Sequence, residues 1–189
     1  LLNFEELFLN QNNVTLEVGF GNGDSLLETA IHQPNQNFLG IEVYEAGVGR
    51  LINEANKNQL VNLKIIKDDA VEVLNNNIPD DSISHFQLFF PDPWHKKRHH
   101  KRRIVQTSFL DLLSKKLKNN GIVHIATDWE NYAEHIMETL ESHSHFKNCA
   151  GDHIYSPRPE QRPLTKFENR GQKLGHGVWD IIFTNLKGG

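Results

Sequence analysis

A chain of 189 residues with 38% apolar content has the material for a layered core without help from metals or disulfides. Its one cysteine, Cys149, excludes an intramolecular disulfide and fits a reducing, cytoplasmic setting, and no apolar run reaches membrane-spanning length. The net charge of −4 is uneven: Lys96, Lys97, Arg98, Lys101, Arg102 and Arg103 carry +6 and leave −10 on the rest, so a polyanion is expected to meet the chain through one strip. A single domain spanning residues 1–189 is expected. The chain begins at Leu1 without a signal peptide, so an N-terminal extension, with its own targeting information, is expected to be missing.

Segments rich in Val, Ile, Leu and Phe alternate with amphipathic stretches, which is the pattern of βαβ units and an α/β fold around a mostly parallel sheet. A first strand over 14–18 runs into Gly19-Phe20-Gly21-Asn22-Gly23, followed by a helix over 24–32. Glycines there let a ligand approach the backbone and let the turn take dihedrals that a Cβ forbids; an ordinary glycine-rich turn is the plain alternative. The sixth position of the dinucleotide fingerprint G-x-G-x-x-G is Asp24, with Glu17 nearby. Two carboxylates repel a diphosphate and suit a cationic cofactor, such as the ammonium and sulfonium of S-adenosylmethionine. The second strand, over 38–43, carries Glu42, which is either a ribose-binding acid or a solvated strand end. After a helix over 46–56 and a strand over 63–66, Asp69 either accepts from an adenine amino group or caps a short helix over 70–74.

A strand over 84–90 leads into Phe90-Pro91-Asp92-Pro93-Trp94-His95 and the basic strip. The two prolines hold Asp92 on a stiff turn, Trp94 offers a stacking plane for a base, and the cations offer phosphate contacts. A solvated charge run is the plain reading of the strip. His95 and His99 have the spacing of helix-face metal ligands, but no Cys or acid joins them, so no metal is expected. A helix over 107–117 is expected to stop at Asn119-Asn120-Gly121, residues that tolerate positive φ, before a strand over 122–127. Thr127-x-x-Glu130 has the form of a capping box opening a helix over 131–142. The prolines from Ser156 to Pro163 exclude helix and central strand, so a long irregular loop is expected there. A short helix over 165–173 and an antiparallel strand over 178–185, with Trp179 as a core aromatic, complete the chain.

Five ordered blocks form a recognisable pattern: Glu17 to Gly23, Gly40-Ile41-Glu42-Val43-Tyr44, Phe90 to Lys97, Ala126-Thr127-Asp128-Trp129, and Thr165-Lys166-Phe167-Glu168 with Gly175 to Asp180. Together they closely resemble the bacterial tRNA (guanine-N7-)-methyltransferases, over about residues 3–183. The resemblance implies a Rossmann-like class I methyltransferase fold: a seven-stranded, mostly parallel sheet with an antiparallel last hairpin and helices on both faces. It implies methyl transfer from S-adenosylmethionine to N7 of a guanosine in the tRNA variable loop. It also implies Glu17, Glu42, Asp69 and Asp92 as cofactor-site acids, with Gly19 and Gly21 in the cofactor turn. Lys96, Asp128, Thr165, Lys166, Phe167 and Glu168 match substrate-contacting positions.

Guanine N7 carries an in-plane lone pair and no proton, so its attack needs no preceding base, and the site's work is positioning and electrostatics. On this reading Asp92 is the catalytic residue, a fixed carboxylate that stabilises positive charge developing on the purine. Asp128 holds the donor edge of guanine, in competition with the capping reading of its segment. Two other classes stay open at this stage: a non-catalytic RNA-binding protein that uses the strip alone, and a methyltransferase of small molecules or proteins, which leaves the strip without purpose. Monomer and homodimer fit the sequence equally.

Overall fold

The computed structural model describes residues 1–164, 168 and 177–187. Strands β1 (Val14–Val18), β2 (Asn37–Ile41), β3 (Leu63–Ile66), β4 (Ile83–Phe89), β5 (Leu117–Thr127), β6 (Phe146–Asn148) and β7 (Trp179–Asn185) form one seven-stranded sheet in the order β3-β2-β1-β4-β5-β7-β6. The pairings among β1 to β5 are parallel, and β7 runs antiparallel to both β5 and β6. From β1 the chain steps outward to β2 and β3, then returns to β4 and continues the other way. Right-handed crossovers therefore place the helices on opposite faces.

Two apolar clusters show the two faces filled. Helices α2 (Asp24–His32) and α3 (Glu45–Lys57) pack Leu26, Ala30, Val48, Leu51 and Ala55 with Phe38 and Leu63 of the sheet. On the other face α1 (Phe4–Phe8), α4 (Ala70–Asn76), α5 (Thr107–Lys116) and α6 (Glu130–Glu141) pack with Leu16, Leu39, Phe86, Val123 and Phe183. Periodicity accounts for this: α6 buries Tyr132, Ala133, Ile136, Met137 and Leu140, one stripe at helical spacing, while β1 alternates Val14, Leu16 and Val18 to one side. The reversal of strand order between β1 and β4 opens a crevice beyond the carboxyl ends of those strands, where α/β sheets bind ligands.

The expected strands and helices are present within one to two residues at most ends, with three departures. Asn119-Asn120-Gly121 does not end α5, which stops at Lys116; the residues lie inside β5, where Asn120 takes φ 61° and the register with β4 jumps between Ile83 and His85. Their tolerance of positive φ serves a strand irregularity instead of a helix stop. The capping box does not form, because the N-cap of α6 is Trp129, and Thr127 Oγ1 accepts from the Trp129 amide at 3.2 Å. Helix α1 and strand β6 had no counterpart in the sequence reading. The helix expected over 165–173 lies outside the described residues apart from Glu168.

Candidate active site

The glycine turn leaves β1 at the crevice. Gly19, Gly21 and Gly23 have φ of 72°, 58° and 76°, a left-handed path that a side chain strains. Gly19 N donates to the Ile41 carbonyl at 2.8 Å, tying the turn to the end of β2. Glu42 then holds it from above: Oε2 accepts from Gly21 N at 2.7 Å, and Oε1 accepts from Val43 N and Tyr44 N at 2.8 and 2.9 Å. This is why β2 stops at Ile41, since those amides bond the carboxylate instead of a neighbouring strand. Gly47 of α3 packs so closely beneath that a Cβ there falls inside contact distance of the Gly21 carbonyl.

Beside the turn is a cavity of about 640 Å³, lined by Glu17, Gly19 and Gly21 together with Phe89, Phe90, Pro163 and Leu164. Glu17 is 4% exposed, and burial pushes its carboxyl up to about 8. Asp24, the second acid expected to set the charge preference, instead pairs with Arg50 at 2.6 Å, and Arg50 Nη1 also donates to the Asn22 carbonyl at 2.7 Å. The preference for a cation therefore rests on Glu17. Asp69 caps α4 through one oxygen, Oδ1 accepting from Val71 N and Glu72 N at 2.9 and 3.1 Å, an arrangement compatible with a ligand contact through the other.

Asp92 sits on the turn that follows β4. Phe90 and Trp94, on either side of Pro91-Asp92-Pro93, take φ of 53° and 49°, backbone that non-glycine residues hold only when their surroundings impose it. Phe90 N donates to the Ala126 carbonyl at 2.8 Å, so the turn is pinned to β5. The exposed Asp92 lines a second hollow of about 350 Å³ with Trp94, His95, Lys96 and His99. His95 meets Trp129 edge-on at 4.1 Å and His99 meets Trp94 at 6.0 Å, so the two histidines diverge onto different indoles. Asp128, half-buried, follows β5, the strand adjacent to β4.

The basic strip is not uniform. Lys97–Arg102 forms a 3-10 turn with no buried side chain, and the Arg102 guanidinium lies 4.9 Å over the Trp94 ring. Arg103 turns inward at 3% exposure, donating to the Pro93 carbonyl at 2.8 Å and to Asn131 Oδ1 at 2.9 Å, with its guanidinium 4.6 Å over Tyr132. It braces the Asp92 turn and is not a phosphate contact. Of the expected substrate run, Thr165, Lys166 and Phe167 lie outside the described residues, while Glu168 is buried with both oxygens on Arg162 at 2.7 Å. Arg50 and Arg162 have no role in the sequence reading, and Arg103 is there only one cation of the strip; their partners lie 6 to 28 positions away in the chain, so the local sequence carries no signal of these contacts.

Comparison with known proteins fits this arrangement. The family model described as "Putative methyltransferase" matches residues 11–181. The tRNA (guanine-N(7)-)-methyltransferase of Shewanella amazonensis is 54% identical over 98% of this chain and 78% of its own length. That of Vibrio vulnificus is 55% identical over 98% and 78%, and that of Serratia proteamaculans 56% over 94% and 74%. Among solved structures, the 16S rRNA methyltransferase KamB superimposes with a TM-score of 0.71 at 15% identity, covering 97% of this chain and 92% of that one. An S-adenosylmethionine-dependent O-methyltransferase of Thermotoga maritima gives 0.62 at 16%, covering 97% and 63%.

The sheet order, the antiparallel last hairpin and the glycine turn define a class I methyltransferase, an enzyme that uses S-adenosylmethionine. The site residues fit that cofactor: the Glu17 carboxyl, held protonated by burial, lines the cavity where a cationic ligand would favour its ionised form, and added Cβ atoms at Gly19 and Gly21 meet nothing within 4 Å, leaving the backbone open to a ligand. The chain belongs to the bacterial tRNA (guanine-N(7)-)-methyltransferase family.

Proposed function

We propose that this chain, as a single methyltransferase domain, methylates N7 of a guanosine in the variable loop of tRNA in the cytoplasm, as a monomer or homodimer. The observation that carries the reading is Asp92 itself: a carboxylate on a strained, pinned turn that follows Phe89 and Phe90 of the cofactor cavity and lines a hollow with an indole and Lys96. S-adenosylmethionine supplies an electrophilic methyl group on a sulfonium. Glu17 meets its cationic part, Glu42 its ribose and Asp69 its adenine amino group, with Gly19 and Gly21 giving close approach. Asp92 stabilises the positive charge that grows on the purine, and no residue has to remove a proton first. Asp128 accepts from the donor edge of guanine, which adenine lacks. Lys96 and the outward cations hold the phosphates, and Thr165, Lys166 and Phe167 contact the substrate; Glu168 contributes through Arg162. Incubation with bulk tRNA and labelled cofactor, followed by digestion to nucleosides, should yield 7-methylguanosine. Its absence, with a folded protein that binds cofactor, overturns the reading.

A further inference from the structure

Four titratable side chains, Arg162, Glu168, Asp180 and His124, meet in the interior at the 156–164 loop, and the proposed reaction leaves the work of this cluster as a whole unassigned. Arg162 Nε and Nη2 donate to the two oxygens of Asp180 at 2.8 and 2.9 Å. Nη1 and Nη2 donate to the two oxygens of Glu168 at 2.7 Å each. His124 Nε2 meets Asp180 Oδ1 at 2.6 Å. The arginine side chain is 2% exposed and the carboxylates 1% and 3%. Burying three ions costs several kcal/mol each unless their geometry is near ideal, so such a set is a poor way to gain stability and an effective way to impose one arrangement.

What it arranges is the cofactor cavity. Residues 163 and 164, next in the chain, line the same cavity as the glycine turn. The guanidinium lies 5.8 Å from the ring centroids of both Phe89 and Phe90, which line the same cavity and lead into the Asp92 turn. The loop is tied down around this point: Ser156 N donates to the Asp180 carbonyl at 2.8 Å, Arg162 N to the Pro159 carbonyl at 3.1 Å, and Arg158 Nη1 to the Arg162 carbonyl at 2.6 Å.

We propose that Arg162 is a positioning residue: its fork, clamped between Asp180 and Glu168, latches Pro163 and Leu164 in place in the lining of the cofactor cavity and so sets cofactor affinity. Lysine keeps the charge and loses the fork, so Arg162→Lys tests the geometry. The control is Lys116→Met, which breaks a pair with Asp80 of 2.8 Å far from the cavity. In calorimetry without tRNA, Arg162→Lys should weaken S-adenosylmethionine binding about tenfold or more. Hydrogen exchange across 156–164 should rise while β1 and α2 keep wild-type protection. Lys116→Met should leave cofactor affinity within about twofold at a comparable loss of thermal midpoint. Where Arg162→Lys does not fold, the triple variant Arg162→Met, Glu168→Gln, Asp180→Asn, which strands no buried charge, should fold and show the same loss of affinity. A folded Arg162 variant with wild-type cofactor affinity overturns the latch. Because this binding is read without tRNA, a wild-type protein that binds cofactor but makes no 7-methylguanosine sinks the tRNA reading and leaves the latch standing.

Discussion

Glu17 is the residue whose chemistry the fold changes most. Its carboxyl titrates at about 8, against 4.5 for an exposed glutamate, so between those values the folded chain holds a proton that the unfolded chain has released. Its contribution to stability therefore falls as pH rises from 4.5 towards 8. Binding of a cation has the opposite sign, since it requires the ionised form. Affinity for S-adenosylmethionine should climb by up to about tenfold per pH unit and level off above the folded-state value. Calorimetry across that range checks it, and Glu17→Gln should bind more weakly with a flat profile. At Asp92 the expectation concerns rate. Asp92→Asn, measured in single turnover at saturating cofactor, should slow methyl transfer about 100-fold or more while the fold is kept. Near-normal turnover removes the residue from the mechanism.

At the scale of elements, the glycine turn depends on the helix beneath it. Gly47→Ala brings a methyl group against the Gly21 carbonyl, so either the turn or α3 must shift. The thermal midpoint should drop, and cofactor affinity should fall by about tenfold; an unchanged affinity would mean that the turn adjusts freely. The elements were legible where their cause is local: β1, α2 and β3 begin and end where apolar period and punctuation put them. Helix α1 has five residues and β6 three, too short for periodicity, and both exist because of partners distant in sequence. The same holds within the site. The glycines and acids sit in contiguous motifs, whereas the Arg162 cluster gathers residues 124, 162, 168 and 180; Glu168 and Asp180 stand in a motif, but nothing local ties them to Arg162 or His124.

For the molecule as a whole, the concentrated charge sets how it meets RNA. With Arg103 turned inward, five outward cations remain in the strip: Lys96, Lys97, Arg98, Lys101 and Arg102. The slope of log affinity for tRNA against log salt should be on the order of −4. Replacing Lys97, Lys101 and Arg102 with glutamine should flatten it by about 2 to 3, whereas Arg103→Gln should mainly lower the thermal midpoint. An unchanged slope in the triple variant would assign the strip to solvent.

The position of β7, which pairs with β5 on one side and β6 on the other, has a consequence for how the protein is made. A nascent chain leaving the ribosome can assemble the five-stranded parallel portion early, but β5 then presents a bare backbone edge and β6 has no partner strand. Both wait for the last strand of the sheet to be synthesised and to slot between them. During that interval the unfinished polypeptide is open to pairing with a neighbouring copy, which makes this late insertion the step at which chaperones have most to protect.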